Sequence, residues 1–166
     1  IIICCMNILD VKNLNVGFNT ENGFRPVLHN VSFSLKKGQT LAHVGESGCG
    51  KTLSAMSILR LLPKTARITS GEISYNGNNL IELSERDMRK IRGAKIALIP
   101  QDPMTSLNPL YTIGNQLLEV IKLHQNLKGE DAEKKAVEAL KMVQIPSPEE
   151  RLKSYHLKKG DLVFSR

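Results

Sequence analysis

The chain has no tryptophan, and only 4% of its 166 residues are aromatic. Little is available for stacking on bases, so a nucleic-acid binder is disfavoured despite the formal charge of +7. The positive charge is also interleaved: Lys134 and Lys135 alternate with Glu130, Glu133 and Glu138 on what reads as a solvated helix face. Cysteine is scarce as well. Cys4, Cys5 and Cys49 have neither metal-site spacing nor the even count of a secreted disulfide framework, which favours a reducing, cytoplasmic setting. No apolar run approaches the roughly 20 residues that a membrane span needs. The leading IIICC is too short for a signal peptide and has no basic region before it. Met6 opens a regular strand pattern and is read as the natural start, with residues 1–5 as a non-native leader.

What remains is an ordinary globular composition, 41% hydrophobic and 23% charged, in a length that suits one domain. NILDVKNLNVGF alternates apolar and polar residues and predicts a strand with Ile8, Val11 and Leu14 inward. Asn22-Gly23 marks a turn. VLHNVSFSL and TLAHVG predict two strands joined by a reverse turn at Lys36-Lys37-Gly38. KTLSAMSILRLL predicts a helix running to Pro63, and GEISYNG a strand closed by an Asn76-Gly77 turn. Ser84 with Asp87 predicts a capped helix over SERDMRKIR, and KIALIP a buried strand before the turn-rich QDPMTSLNP. Two amphipathic helices follow, TIGNQLLEVIKLH and EDAEKKAVEALKMV, the second with Ala136, Val137, Leu140 and Val143 on one face. A last short helix is expected from Glu149 to Tyr155. Antiparallel strands ahead of a strand, glycine loop and helix are not the layout of a simple dinucleotide-binding half.

The chemistry concentrates in GESGCGKT. It fits G-x-x-x-x-G-K-S/T at every fixed position, with Gly45, Gly50, Lys51 and Thr52, and lies between an apolar run and a helix. Glycines let successive N–H groups turn inward around an anion, and the helix N-terminus adds its partial charge there. Over Gly45, Glu46, Ser47, Gly48, Cys49 and Gly50 this predicts a phosphate nest. Lys51 then reaches the β- and γ-phosphates of ATP, and the Thr52 hydroxyl ligates Mg²⁺. A Gly-rich helix cap would explain the glycines but neither the lysine nor the threonine. After IALIP, Asp102 could close a metal-binding strand. Gln101 is nearer the strand end, however, and suits a role touching Mg²⁺ or ordering a water through its amide oxygen.

GESGCGKT, GEISYNGNNL, IPQDPMTSLNPLYTIGNQ, IKLHQ and IPSPEERLKSY, in this order, resemble the ATP-binding subunits of ABC transporters. Within them the chain is similar to the branch importing dipeptides and oligopeptides, and to nickel importers. The resemblance runs from about Ile8 to Tyr155. It implies an α/β fold of the P-loop NTPase type, with an ABC nucleotide-binding core over residues 6–103, a partial helical subdomain over 104–155 and a divergent tail over 156–166. It also implies that Phe18 stacks on adenine and that Gln101 senses the γ-phosphate beside the membrane subunit. The implied partners are permease subunits and a second ATP-binding subunit, on the inner face of the cell membrane.

The family pattern should continue after Tyr155 with Pro-His, a Leu-Ser-Gly-Gly signature, a Walker B strand and a switch histidine. HLKKGDLVFSR matches none of these. The expectation is therefore a truncated subunit that turns over ATP near background by itself. Two other readings stay open: a complete small P-loop phosphotransferase with Arg86, Arg89 and Arg92 as a lid, and a non-catalytic remnant docking on permease subunits.

Overall fold

In the computed structural model residues 7–100 and 106–155 are described. They fall into two compact units, Ile1–Leu98 and Ile99–Arg166. Gln101 and Asp102, the proposed leader and the divergent tail lie outside the described residues.

The first unit is built on a four-stranded antiparallel sheet of order β2-β1-β3-β4. Its strands are β1 (Asn7–Thr20), β2 (Gly23–Lys36), β3 (Ala66–Tyr75) and β4 (Asn78–Asn79). The turns at Asn22-Gly23 and Asn76-Gly77 fall where expected. The inward set on β1 is Leu9, Val11, Leu14 and Val16, whereas Ile8 is only half-buried. Strict alternation cannot place Val11 and Leu14 on one face. The sheet solves this with bulges at one level across three strands. Asn13 on β1, Asn30 on β2 and Gly71 on β3 all adopt positive φ, at 48°, 50° and 105°. The pairing register shifts between Val11 and Leu14, and again between Leu14 and Val16. Each strand thereby flips its side-chain parity at that level. A β-carbon on Gly71 would lie 2.6 Å from the Asn13 carbonyl oxygen, so only glycine lets β3 pass this close. The freed backbone groups are satisfied locally: Asn30 N–H donates to Asn15 Oδ1 at 3.0 Å, Asn15 Nδ2 to Asn13 O at 2.7 Å, and Asn13 N–H to Ser32 Oγ at 2.8 Å.

Helix α1 (Lys51–Ile58) follows the glycine loop, and α2 (Glu85–Ile91) follows β4. Leu53, Ile58 and Leu62 pack on the core of Leu14, Leu28, Ile73, Leu80 and Met88. Helix α1 stops earlier than its periodicity predicts. Arg60, at φ 52°, turns the chain left-handed before Leu61 and Leu62 can join it. The Ser84 cap forms as expected, with Asp87 N–H donating to Ser84 Oγ at 3.2 Å.

Two expected strands are absent. TLAHVG and KIALIP carry no strand pairing beyond one bridge between Arg92 and Ile96. Val44 is 93% exposed and Ile99 90%. An apolar run of this kind becomes a strand only between neighbours that pair with it and cover both its faces. Among the described residues neither run finds them.

The second unit is helical: α3 (Ile113–Gln125), α4 (Gly129–Met142) and α5 (Pro148–Arg151). Thr112 caps α3 by accepting from Asn115 N–H at 3.1 Å, and Asn126 ends it left-handed. Ile121, Ala132 and Ala136 form its core with Leu117, Leu118, Leu127 and Leu152. Val143 is a correction: α4 ends before it and it is 67% exposed, while Ala132 takes the inward position a turn earlier. Helix α5 is likewise shorter than expected, and Tyr155 instead bridges back to Thr112. No helix among the described residues is long and apolar enough to cross a membrane.

Candidate functional site

Gly50 is the N-cap of α1, at φ 93° and ψ 5°, and no side chain caps the helix. Serine or aspartate would normally supply an oxygen to the first N–H groups. Here those donors are left for a ligand, and no acidic residue occupies the first turn to compete with an anion. Gly48 is also left-handed, at φ 85°, with open space where a β-carbon would be. A β-carbon on Gly45 would lie 2.8 Å from Cys49 Sγ, and one on Gly50 would collide with Leu28 Cδ2. The loop is thus a cradle of bare backbone, seated against Leu28 at Gly50. Its donor set, backbone N–H groups plus one ammonium, suits a polyphosphate.

Lys51 is the first residue of α1, and its side chain folds back over the loop. The ammonium donates to Gly45 O at 2.7 Å and Glu46 O at 2.6 Å, with Cys49 Sγ at 3.4 Å. Three donors meet three acceptors, and all three belong to the loop itself. Glu46, Ser47, Cys49 and Thr52 are exposed. Thr52 is thus an exposed residue on the first turn of α1.

Two arginines hold the other end of α1. Arg92 donates from Nε to Leu59 O at 2.7 Å and from an Nη to Arg60 O at 3.4 Å, while pairing with Glu85. Arg60 donates to the carbonyls of Leu80 and Leu83. The Arg92 bonds satisfy the carbonyls of Leu59 and Arg60, at and just past the C-cap of α1, and place a cation at its negative end. The Arg60 bonds tie that end to the segment after β4. The Arg92 guanidinium, with its hydrogen bond foremost, holds the Glu85 carboxyl below its ordinary value of 4.5. Arg92 is therefore an anchor of α1 and is unsuited to a mobile lid, while Arg86 and Arg89 face solvent. Sequence reading missed this anchor, although Glu85 and Arg92 stand two helical turns apart, a spacing that suggests a shared face.

Phe18 lies two residues beyond Val16 on β1, hence about 7 Å along the strand. Val16 pairs with Leu28, the residue against Gly50. Side chains two apart share a face, so Phe18 lies on the sheet face that supports the loop. It is half-buried and paired with Arg25 on β2 and Ala66 on β3. Gln101 lies outside the described residues. Elsewhere, a cavity of about 510 Å³ opens between α3, α4 and α5, lined by Thr112, Asn115, Leu118, Glu133, Val137 and Leu152. Lys153 also lines it, but Glu133 and Glu149 share the lining, and the first N–H groups of α3 are already taken by Ser154 O, Leu152 O and Thr112 Oγ1.

Comparison with known proteins places this geometry. The chain is 49% identical over 149 residues to a probable peptide ABC transporter ATP-binding protein of Sinorhizobium fredii, covering 89% of this chain and 44% of that protein. It is 47% identical to a dipeptide transport ATP-binding protein of Bacillus subtilis, with the same coverage. The chain thus spans less than half the length of these relatives. Its fold is that of the ATP-binding cassette MJ0796, solved as a post-hydrolysis dimer bound to ADP and Pi. That match has a TM-score of 0.70 and 26% identity, over 81% of this chain and 56% of that one. The family profile described as ABC transporter matches residues 28–161. The glycine loop, the antiparallel sheet beneath it and the helical unit that follows are parts of one known cassette, and the chain belongs to the ABC transporter family.

Proposed function

We propose that this chain is part of the ATP-binding subunit of a peptide importer, and that residues Gly45–Thr52 hold the phosphates of ATP. The observation that carries the reading is the cradle: an uncapped helix N-terminus behind left-handed Gly48 and Gly50, with the Lys51 ammonium across its mouth. An incoming phosphate would exchange with the carbonyls of Gly45 and Glu46 as partner of that ammonium, at little cost in rearrangement. Phe18, on the supporting face of the sheet, is assigned the adenine platform. Mg²⁺, when bound, neutralises charge between the outer phosphates, and Thr52 and Gln101 are the residues proposed to hold it.

Peptides as cargo follow from what the two relatives are called, proteins of peptide and dipeptide transport. A permease and a second ATP-binding subunit are the corresponding partners, and the cytoplasmic face of the membrane the corresponding place. The direct test is equilibrium binding of ATP to the purified chain with and without Mg²⁺. Submillimolar binding of ATP that Mg²⁺ strengthens supports the reading, and no detectable binding of ATP or inorganic tripolyphosphate overturns it.

A further inference from the structure

We propose that Arg25 is a second nucleoside-contacting residue, closing its guanidinium over the outer face of a base stacked on Phe18. The inference rests on the reading of Phe18 as the base platform. Its own ground is the register of β1 and β2. Phe18 and Arg25 are direct cross-strand partners, so their β-carbons stand about 5 Å apart on one face of the sheet.

The second arginine at this end of the sheet is already engaged on the reverse face. Gly17 pairs with Arg67, and Asn19 with Phe24. The Phe24 ring folds over Gly17, where a β-carbon would collide with it. The Arg67 guanidinium in turn lies 5.0 Å from the Phe24 ring centroid. That stack occupies the face opposite Phe18, which leaves Arg25 as the guanidinium on the Phe18 side. Arg25 is exposed. Every ion pair among the described residues lies elsewhere, on α2 with its cap, on α4, and between α4 and α5.

A planar, weakly hydrated cation with a long stem suits this place. The side chain extends far enough from its β-carbon to pass the edge of a base and lie flat on its outer face, giving an aromatic–base–guanidinium sandwich. Stacking of this sort is tolerant of base identity, so the contact adds affinity for the nucleoside end without reading the base. Lysine, a point charge without a flat face, would not replace it.

The test compares ATP with inorganic tripolyphosphate, each measured by calorimetry on the full chain. Arg25→Ala should weaken ATP about tenfold, the effect of one good contact to a charged group, and leave tripolyphosphate unchanged. Arg25→Lys should recover less than half of that loss on a logarithmic scale. Phe18→Ala should likewise weaken ATP alone, whereas Lys51→Ala should weaken both ligands. Loss with Phe18→Ala but none with Arg25→Ala would overturn the Arg25 assignment and leave the platform standing. No loss with either would overturn both. Equal weakening of both ligands by Arg25→Ala, or full recovery by lysine, would mean that Arg25 acts by charge on the phosphates, which also overturns it. Arg25 is exposed, so its replacements should fold, and an unchanged urea midpoint checks this.

Discussion

Gly50 stands directly on Leu28: a β-carbon at position 50 would have nowhere to go but into the Leu28 side chain. The cap of α1 is thereby seated on β2 with no spacer, and the loop inherits the rigidity of the sheet. Gly50→Ala should incur both the left-handed penalty at φ 93° and the displacement of Leu28. The expected loss is roughly 1–3 kcal/mol of unfolding free energy, together with loss of ATP binding. Adding Leu28→Ala should relieve the collision but not the backbone strain. Because Leu28→Ala carries its own cost as a core truncation, urea unfolding of both single variants and the double variant is needed to separate the two parts.

Lys51 should contribute to ATP binding through charge-assisted hydrogen bonds of about 1.5–3 kcal/mol. Lys51→Ala is therefore expected to weaken ATP roughly ten- to a hundred-fold. An unchanged dissociation constant in a folded variant would contradict the phosphate assignment.

Cys49 is exposed and within 3.4 Å of the Lys51 ammonium. Alkylation by iodoacetamide should proceed readily in the nucleotide-free chain and slow at least several-fold in Mg-ATP. Mass spectrometry of the Cys49 peptide, with Cys4 and Cys5 as internal references, reads the protection. Equal labelling in both conditions would count against a phosphate lying inside the loop.

The Glu85–Arg92 pair predicts a dependence on acid. Glu85 is held below its ordinary value of 4.5, first by its hydrogen bond to Arg92 and then by neighbouring charge. A carboxylate with a depressed folded value stabilises fully above the unfolded value, and that stabilisation fades as pH falls through the folded one. Urea midpoints of the unaltered chain should therefore drop below about pH 4.5, more steeply than those of Glu85→Gln. Because Glu85 is exposed, the difference should be small, and parallel curves would show that the pair does not anchor α1.

The parts of the fold legible in the sequence are those decided within a few residues. The Ser84 cap, the Asn22-Gly23 and Asn76-Gly77 turns, and the glycine loop were all readable because each is specified by its own neighbours. Distant partners decided the rest. TLAHVG and KIALIP have strand composition, but a strand is made by what lies beside it, and nothing in six residues announces that. The early end of α1 is of the same kind. Periodicity carries on through Leu61 and Leu62, yet Arg60 turns away to donate to Leu80 and Leu83, twenty and more residues on. In the site, the loop and its lysine were legible, whereas Arg92 looked like one more arginine on a solvated helix. Its bond to Leu59 O spans 33 residues and exists only after folding.

The three bulges at Asn13, Asn30 and Gly71 mark the level at which this sheet can change length. Each reverses inside and outside for the remainder of its strand, and they do so at one level, so the apolar face stays continuous on both sides of the crease. Deleting an ordinary strand residue would turn the far end of its strand inside out, whereas deleting Asn13 brings Val11 and Leu14 two apart, in plain alternation on one face. Losing one bulged residue thus shortens its strand and still keeps the apolar set on one face. Insertions and deletions in this sheet should therefore gather at Asn13, Asn30 and Gly71 and be rare elsewhere along its strands.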